Sequence, residues 1–195
     1  MSADINPIIT KYVKSGIGLI PRISFSGKEI YKEKLNWDDI NNRIIKYYNP
    51  WHKMLRNLLD ETKNKFKHSL LLDCHSMPSY ADSFGKKYPD IIIGSHFGKS
   101  ASKEIIQFLA DSLKTNNLSY AIDDCFSGGY ITKNYCNPDI GINTIQIEIR
   151  RDLYMDEKKF SKNENFNNLR RLLSKIILDL SEFVYEKDNK LKAAE

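Results

Sequence analysis

The sequence predicts an α/β domain, a central sheet between helices, on three observations. Short apolar runs, "SLLLDC" at 69–74 and "PDIIIG" at 89–94, read as strands buried on both faces. "ASKEIIQFLADSLKTN" and "NFNNLRRLLSKIILDLSEFVYEK" carry apolar residues at helical spacing. "INTIQIEIR" alternates, with Ile142, Thr144, Gln146 and Glu148 on one face and Asn143, Ile145, Ile147 and Ile149 on the other. Strands and helices taking turns along a chain build a sheet between helices.

The elements follow in order. Residues 1–35 read as irregular, with "KSGIG" and "FSGKEIY" as turn signals, the second suited to a hairpin. From Asn36, "NWDDINNRIIKYYN" has acids in its first turn and Ile40, Ile44 and Tyr47 at helical spacing. Pro50 should kink or divide that helix. The period resumes through Trp51, Met54, Leu55, Leu58 and Leu59, where His52 reads as a surface residue. The strand at 69–74 is next, then a polar loop, the strand at 89–94 and the first amphipathic helix. "SYAID" makes a short strand before the glycine turn "SGGY"; the alternating strand and the long last helix complete the chain.

Composition narrows the classes. The 195 residues, 41% hydrophobic and 28% charged, suit a single domain over 1–195 with a sizeable core. The net charge of +5 is spread along the chain without a basic-aromatic cluster, so no nucleic-acid partner is expected. Cys74, Cys125 and Cys136 form no CxxC pair. That argues against a disulfide framework and for a reducing cytoplasm. No signal peptide and no run of about 18 apolar residues is found, so no membrane is expected.

Two strand ends carry the chemistry. Asp73, Cys74, His75 and Ser76 follow an apolar run, where core packing asks for none of them. Alternation puts Asp73 and His75 on one side and Cys74 on the other, an arrangement suited to a metal-binding imidazole oriented by a carboxylate. The competing reading is a satisfied histidine near the turn at Pro78. Glu148 sits among isoleucines, and a buried carboxylate needs a partner, a metal or a proton. Either it pairs with Arg150 or Arg151, or it is a general base for a metal-bound water.

Other stretches are weaker. "GSHFGKS" at 94–100 follows a strand and opens a helix, yet has one residue too few for a phosphate-binding loop. The glycines of "SGGYIT" mark a turn or a close backbone approach. Ser76 lacks a nucleophile elbow, and Cys74, expected to be buried, is a poor nucleophile.

Taken together, "GLIPRISFSGKEIY", "YNPWHKML", "LLLDCHSMPS", "YPDIIIGSHFGKS" and "SGGYITKNYCNPDIGINTIQIEIRRDLYMDE" resemble the N-formylglutamate amidohydrolase family from about Gly16 to the final helix. The resemblance implies a central mixed sheet flanked by helices, with zinc-carboxypeptidase-like architecture, and hydrolysis of the amide of a small acidic N-acyl amino acid. It makes His75 a zinc ligand with Asp73 behind it, and Glu148 the catalytic carboxylate. Ser76, Gly128, Gly129 and Tyr130 then line the substrate pocket, with Arg22, Arg150 and Arg151 as candidates to hold the substrate carboxylate. It also marks an N-terminally shortened member, without the upstream segment that carries further ligands. A second chain or an oligomer is the expected cover for that part. The alternatives are a catalytically dead homologue serving as a binding or structural remnant, and a phosphate binder built on "GSHFGKS".

Overall fold

The fold comes from a computed structural model that describes residues 11–14, 16, 18–24, 27–80 and 85–192. Much of the N-terminal stretch that the sequence reads as irregular, residues 1–10 with Ser15, Ile17, Phe25 and Ser26, lies outside that set, as do residues 81–84. Contacts divide the chain into two compact units, Met1–Leu55 and Arg56–Glu195.

In the first unit a short helix α1 (Lys11–Lys14) precedes an antiparallel bridge between Ile23 and Glu29. The bridge is the hairpin read from "FSGKEIY", and the Ser24 N–H donates to the Lys28 carbonyl at 2.8 Å. Helix α2 (Trp37–Arg43) starts where Asn36 Oδ1 accepts the Asp39 N–H at 2.8 Å, with Asp38 and Asp39 at the positive end of the helix dipole. A π-helical turn (Ile44–Tyr48) leads into α3 (Asn49–Phe66). Pro50 has no N–H to offer the carbonyl one turn back, and the widened turn absorbs that defect. The proline therefore shifts the helical register instead of breaking the rod.

The second unit holds β1 (Ser69–Met77), β2 (Ile91–Gly94), α4 (Lys103–Thr115), β3 (Tyr120–Ile122), α5 (Tyr130–Tyr135) and β4 (Ile142–Arg150). A small hairpin of β5 (Met155–Asp156) and β6 (Ser161–Lys162) precedes α6 (Phe166–Lys192). The larger sheet has the order β1-β4-β2-β3. β1 runs parallel to β4 and β3 parallel to β2, while β2 and β4 are antiparallel, so the sheet is mixed.

One face of this sheet makes the core. Ile91 and Ile93 of β2 and Ile145 and Ile147 of β4 pack with Ile105, Leu109 and Leu113 of α4 and Ile176 and Leu180 of α6. Burial of each such side chain stabilises the fold by about 1.5–3 kcal/mol. Phe108 and Phe183 stack at 4.4 Å where the two helices meet.

β1 departs from the expected strand buried on both faces. It extends to Met77, and Leu70, Leu71 and Leu72 are half-buried. The physical reason is its place at the sheet edge: among the described residues β1 pairs with β4 alone. Cys74, expected to be buried, is exposed for the same reason. Among the described residues no helix is long and apolar enough to cross a membrane.

Candidate active site

Strand register brings the two unusual strand ends together. His75 of β1 lies opposite Glu148 of β4, and Asp73 lies opposite Gln146. Paired residues of neighbouring strands share a face, so all four side chains rise on the side away from the isoleucine core. On the other flank of β4, Ile92 stands opposite Glu148 and Gly94 opposite Gln146. Glu148 is thus set between an imidazole and an apolar side chain.

The two groups differ in their access to water. The His75 side chain is 48% exposed, and its Nε2 lies 3.0 Å from Oδ1 of Asp73. Glu148 is only 5% exposed. Burial pushes its carboxyl above the ordinary carboxylate range, and nearby His75 and the hydrogen bond from Gln146 pull it back only in part. A carboxyl raised in this way sits closer to working pH, as a group that takes up and gives back a proton should. The ion pair with Arg150 weighed from the sequence does not form. The guanidinium of Arg150 donates to Asp90 at 2.8 Å, to Asp152 at 2.7 Å and to the Tyr88 carbonyl at 2.6 Å.

The glycine segment does more than turn the chain. Gly129 is the N-cap of α5, whose Thr132 and Tyr135 are buried. Gly128 has φ +106°, and a Cβ there would meet Thr132 Cγ2 at 2.8 Å. The loop lies directly on β2, because a Cβ at Gly94 would come within 2.8 Å of both the Gly128 nitrogen and the Phe126 carbonyl oxygen. Both are backbone atoms and cannot swing aside. Gly94→Ala is expected to cost about 1–3 kcal/mol of stability and to lift the 126–129 loop. Denaturant unfolding of the variant checks the first effect, and amide exchange of the loop checks the second.

The remaining expected site residues belong to different elements. Ser76 points to the opposite face of β1 from His75, and its hydroxyl accepts from Arg151 Nε at 3.2 Å. The charge of Arg151 also acts on the Glu148 carboxylate. Tyr130, the first residue of α5, is exposed. Arg22 belongs to the first unit, where its backbone N–H donates to Gly16. "GSHFGKS" closes on itself. Gly98 N–H donates to Ser95 Oγ, Lys99 N–H to His96 O and Ser100 N–H to Ser95 O. His96, Phe97 and Gly98 all have positive φ, and α4 begins only at Lys103. Amides turned inward like these form no phosphate cradle.

Sequence reasoning missed Gln146 and Gly94. The available signal was the strand period itself, which sets Gln146 two residues from Glu148 on the same face.

A zinc ion fits these residues in kind. Asp73 stands at Nε2 of His75, and a carboxylate behind an imidazole is the usual way to fix the orientation of one that would hold a metal. Among the described residues no three His, Cys, Asp or Glu side chains gather closely enough to hold an ion between them. A catalytic zinc takes about three protein ligands, and of these the described residues offer His75 as a candidate for one.

Comparison with known proteins converges on one family. The profile described as N-formylglutamate amidohydrolase matches residues 2–155. The N-formylglutamate deformylase of Pseudomonas putida is 29% identical over 150 residues, covering 75% of this chain and 56% of that protein. The enzyme of the same name from Pseudomonas aeruginosa is 27% identical over 151 residues, covering 75% and 57%. A crystal structure of N-formylglutamate amidohydrolase from Ralstonia eutropha JMP134 superimposes with a TM-score of 0.85 at 28% identity, over 91% of this chain and 65% of the other. The chain thus spans a little over half the length of the curated relatives it matches.

Proposed function

This chain belongs to the N-formylglutamate amidohydrolase family, and from that premise we propose that its sheet face carries part of an amidohydrolase centre for a small acidic N-acyl amino acid. The observation that carries the reading is the pairing in register of a half-exposed imidazole with a desolvated carboxylate, His75 beside Glu148. The substrate class rests on the relatives' names, which give N-formylglutamate as the molecule they deformylate.

In this reading His75 is a zinc ligand held by Asp73. Zinc, when bound, lowers the pKa of water and polarises a carbonyl. Glu148 takes one proton from the attacking water and passes it to the nitrogen of the leaving amine. The amide C–N bond breaks as the new C–O bond forms, releasing a carboxylate and the free amino acid. The apolar flank at Ile92 and the sheet beneath keep the carboxylate dry, so its charge acts at short range without competition from solvent.

The test is metal content and formate release by the purified chain after incubation with zinc, with N-formyl-L-glutamate as substrate. Near-stoichiometric zinc that is lost in His75→Ala, together with turnover, is the expected result. A folded chain that takes up no zinc and releases no formate overturns the proposal and leaves the binding or structural homologue as the reading.

A further inference from the structure

Glu148 is held by a side chain to which neither its own strand pairing nor the sheet core gives a role. Gln146 is 5% exposed, two residues before Glu148 on the same face of β4. Its Oε1 accepts the Gly129 N–H at 2.7 Å, and its Nε2 donates to Glu148 Oε1 at 2.9 Å. The orientation of this amide follows from chemistry. A backbone N–H can only donate, so the end facing Gly129 must be the carbonyl oxygen, and the NH₂ end is turned to the carboxylate.

The far end of this bridge is equally fixed. Gly129 caps α5, Gly128 presses on Thr132, and the loop before them rests on Gly94 with no room for a side chain between. The carboxylate is therefore tied to the glycine loop through one amide, and a shift of the loop is passed to Glu148 by two hydrogen bonds. Gly129 N–H, being occupied by Gln146, is not available to a substrate oxygen.

We propose that Gln146 is a positioning residue for the amidohydrolase reaction, holding Glu148 in its reactive orientation and coupling it to the 126–129 loop. This inference rests on the proposed role of Glu148. It predicts a dissociation that simple loop anchoring does not. Gln146→Glu keeps an oxygen for Gly129 but loses the donor to Glu148, whereas Gln146→Leu loses both bonds.

Hydrogen bonds to charged groups are worth enough that kcat should fall by roughly 10- to 100-fold in both variants, with KM changing less than about 3-fold. Exchange of the Gly129 amide should quicken in Gln146→Leu and stay slow in Gln146→Glu. If Gln146→Glu keeps wild-type kcat, the residue anchors the loop and nothing more, and the proposal fails. An NMR measurement separates this failure from that of the proposed activity. The Gln146 side-chain amide protons should be protected in the wild-type chain and lose protection in Glu148→Ala, whether or not turnover is seen. Unaltered protection in Glu148→Ala overturns the positioning role.

Discussion

Glu148→Gln is expected to lower hydrolysis of N-formyl-L-glutamate by about 10²- to 10⁴-fold, the range that general acid–base catalysis contributes. Glutamine has nearly the same shape and can still meet Gln146, so the strand and its neighbours should stay in place. What it cannot do is take a proton from water. The variant therefore separates chemistry from packing: kcat collapses while far-UV circular dichroism and zinc content are unchanged. Turnover within about 3-fold of wild type would remove Glu148 from the mechanism.

The same variant should unfold later at neutral pH. Burial raises the folded carboxyl above its unfolded value, so the native state holds its proton more tightly than the unfolded chain does. In the metal-free protein, stability therefore falls as pH rises from the unfolded value of about 4.3 through the higher folded value. Glutamine has no proton to lose, and its unfolding midpoint should lack that decline. A wild-type midpoint that rises over this window, with no difference from the variant, would contradict the burial of the charge.

Much of this site was legible from residue order alone. The apolar run 69–72 ending in Asp73 and His75 signalled a strand delivering polar groups to its carboxyl end, and the period of two placed both on one face. The same period set Glu148 on the polar face of β4. What the order of residues does not contain is which strands are neighbours. The antiparallel entry of β2 beside β4 puts Ile92 against Glu148 and sets Gly94 beneath the glycine loop, and both depend on contacts between residues about 35–55 positions apart. The edge position of β1, which exposes Cys74, is a fact of the same kind. Helix boundaries were less hidden, since Asn36 and Pro50 act on their own turns. Arg150 illustrates the limit. It shares the alternating face with Glu148 and looked equally able to serve a substrate, yet Asp90 and the Tyr88 carbonyl, both distant in sequence, and neighbouring Asp152 take its donors.

Those acceptors make Arg150→Met the substitution with the largest expected effect on stability. Arg150 ends β4 with its side chain 10% exposed. One nitrogen meets Asp90, whose other oxygen accepts from the hydroxyl and N–H of Ser119 ahead of β3. Another meets Asp152, which also pairs with Lys87 at 2.8 Å. A third closes on the Tyr88 carbonyl in the approach to β2. Methionine restores much of the volume but takes the Arg150 donor from two part-buried carboxylates and a carbonyl. Removing one member of such a network costs about 3–5 kcal/mol, far more than an exposed ion pair. The double variant Arg150→Met with Asp90→Asn should recover part of that loss, because the amide leaves one charge fewer unpaired. The pH dependence supplies a second check. Burial alone would raise the Asp152 carboxyl, but hydrogen bonds from Arg150 and Lys87 outweigh it and hold the group below its ordinary value. A depressed carboxyl stabilises the fold above the unfolded value of about 3.9 and loses that contribution as pH falls through the folded value. The gap between wild type and Arg150→Met in urea unfolding should therefore be widest near neutrality and narrow in acid. A gap under about 1 kcal/mol at neutral pH, or one that widens as acid is added, would mean that these loops are held by other contacts.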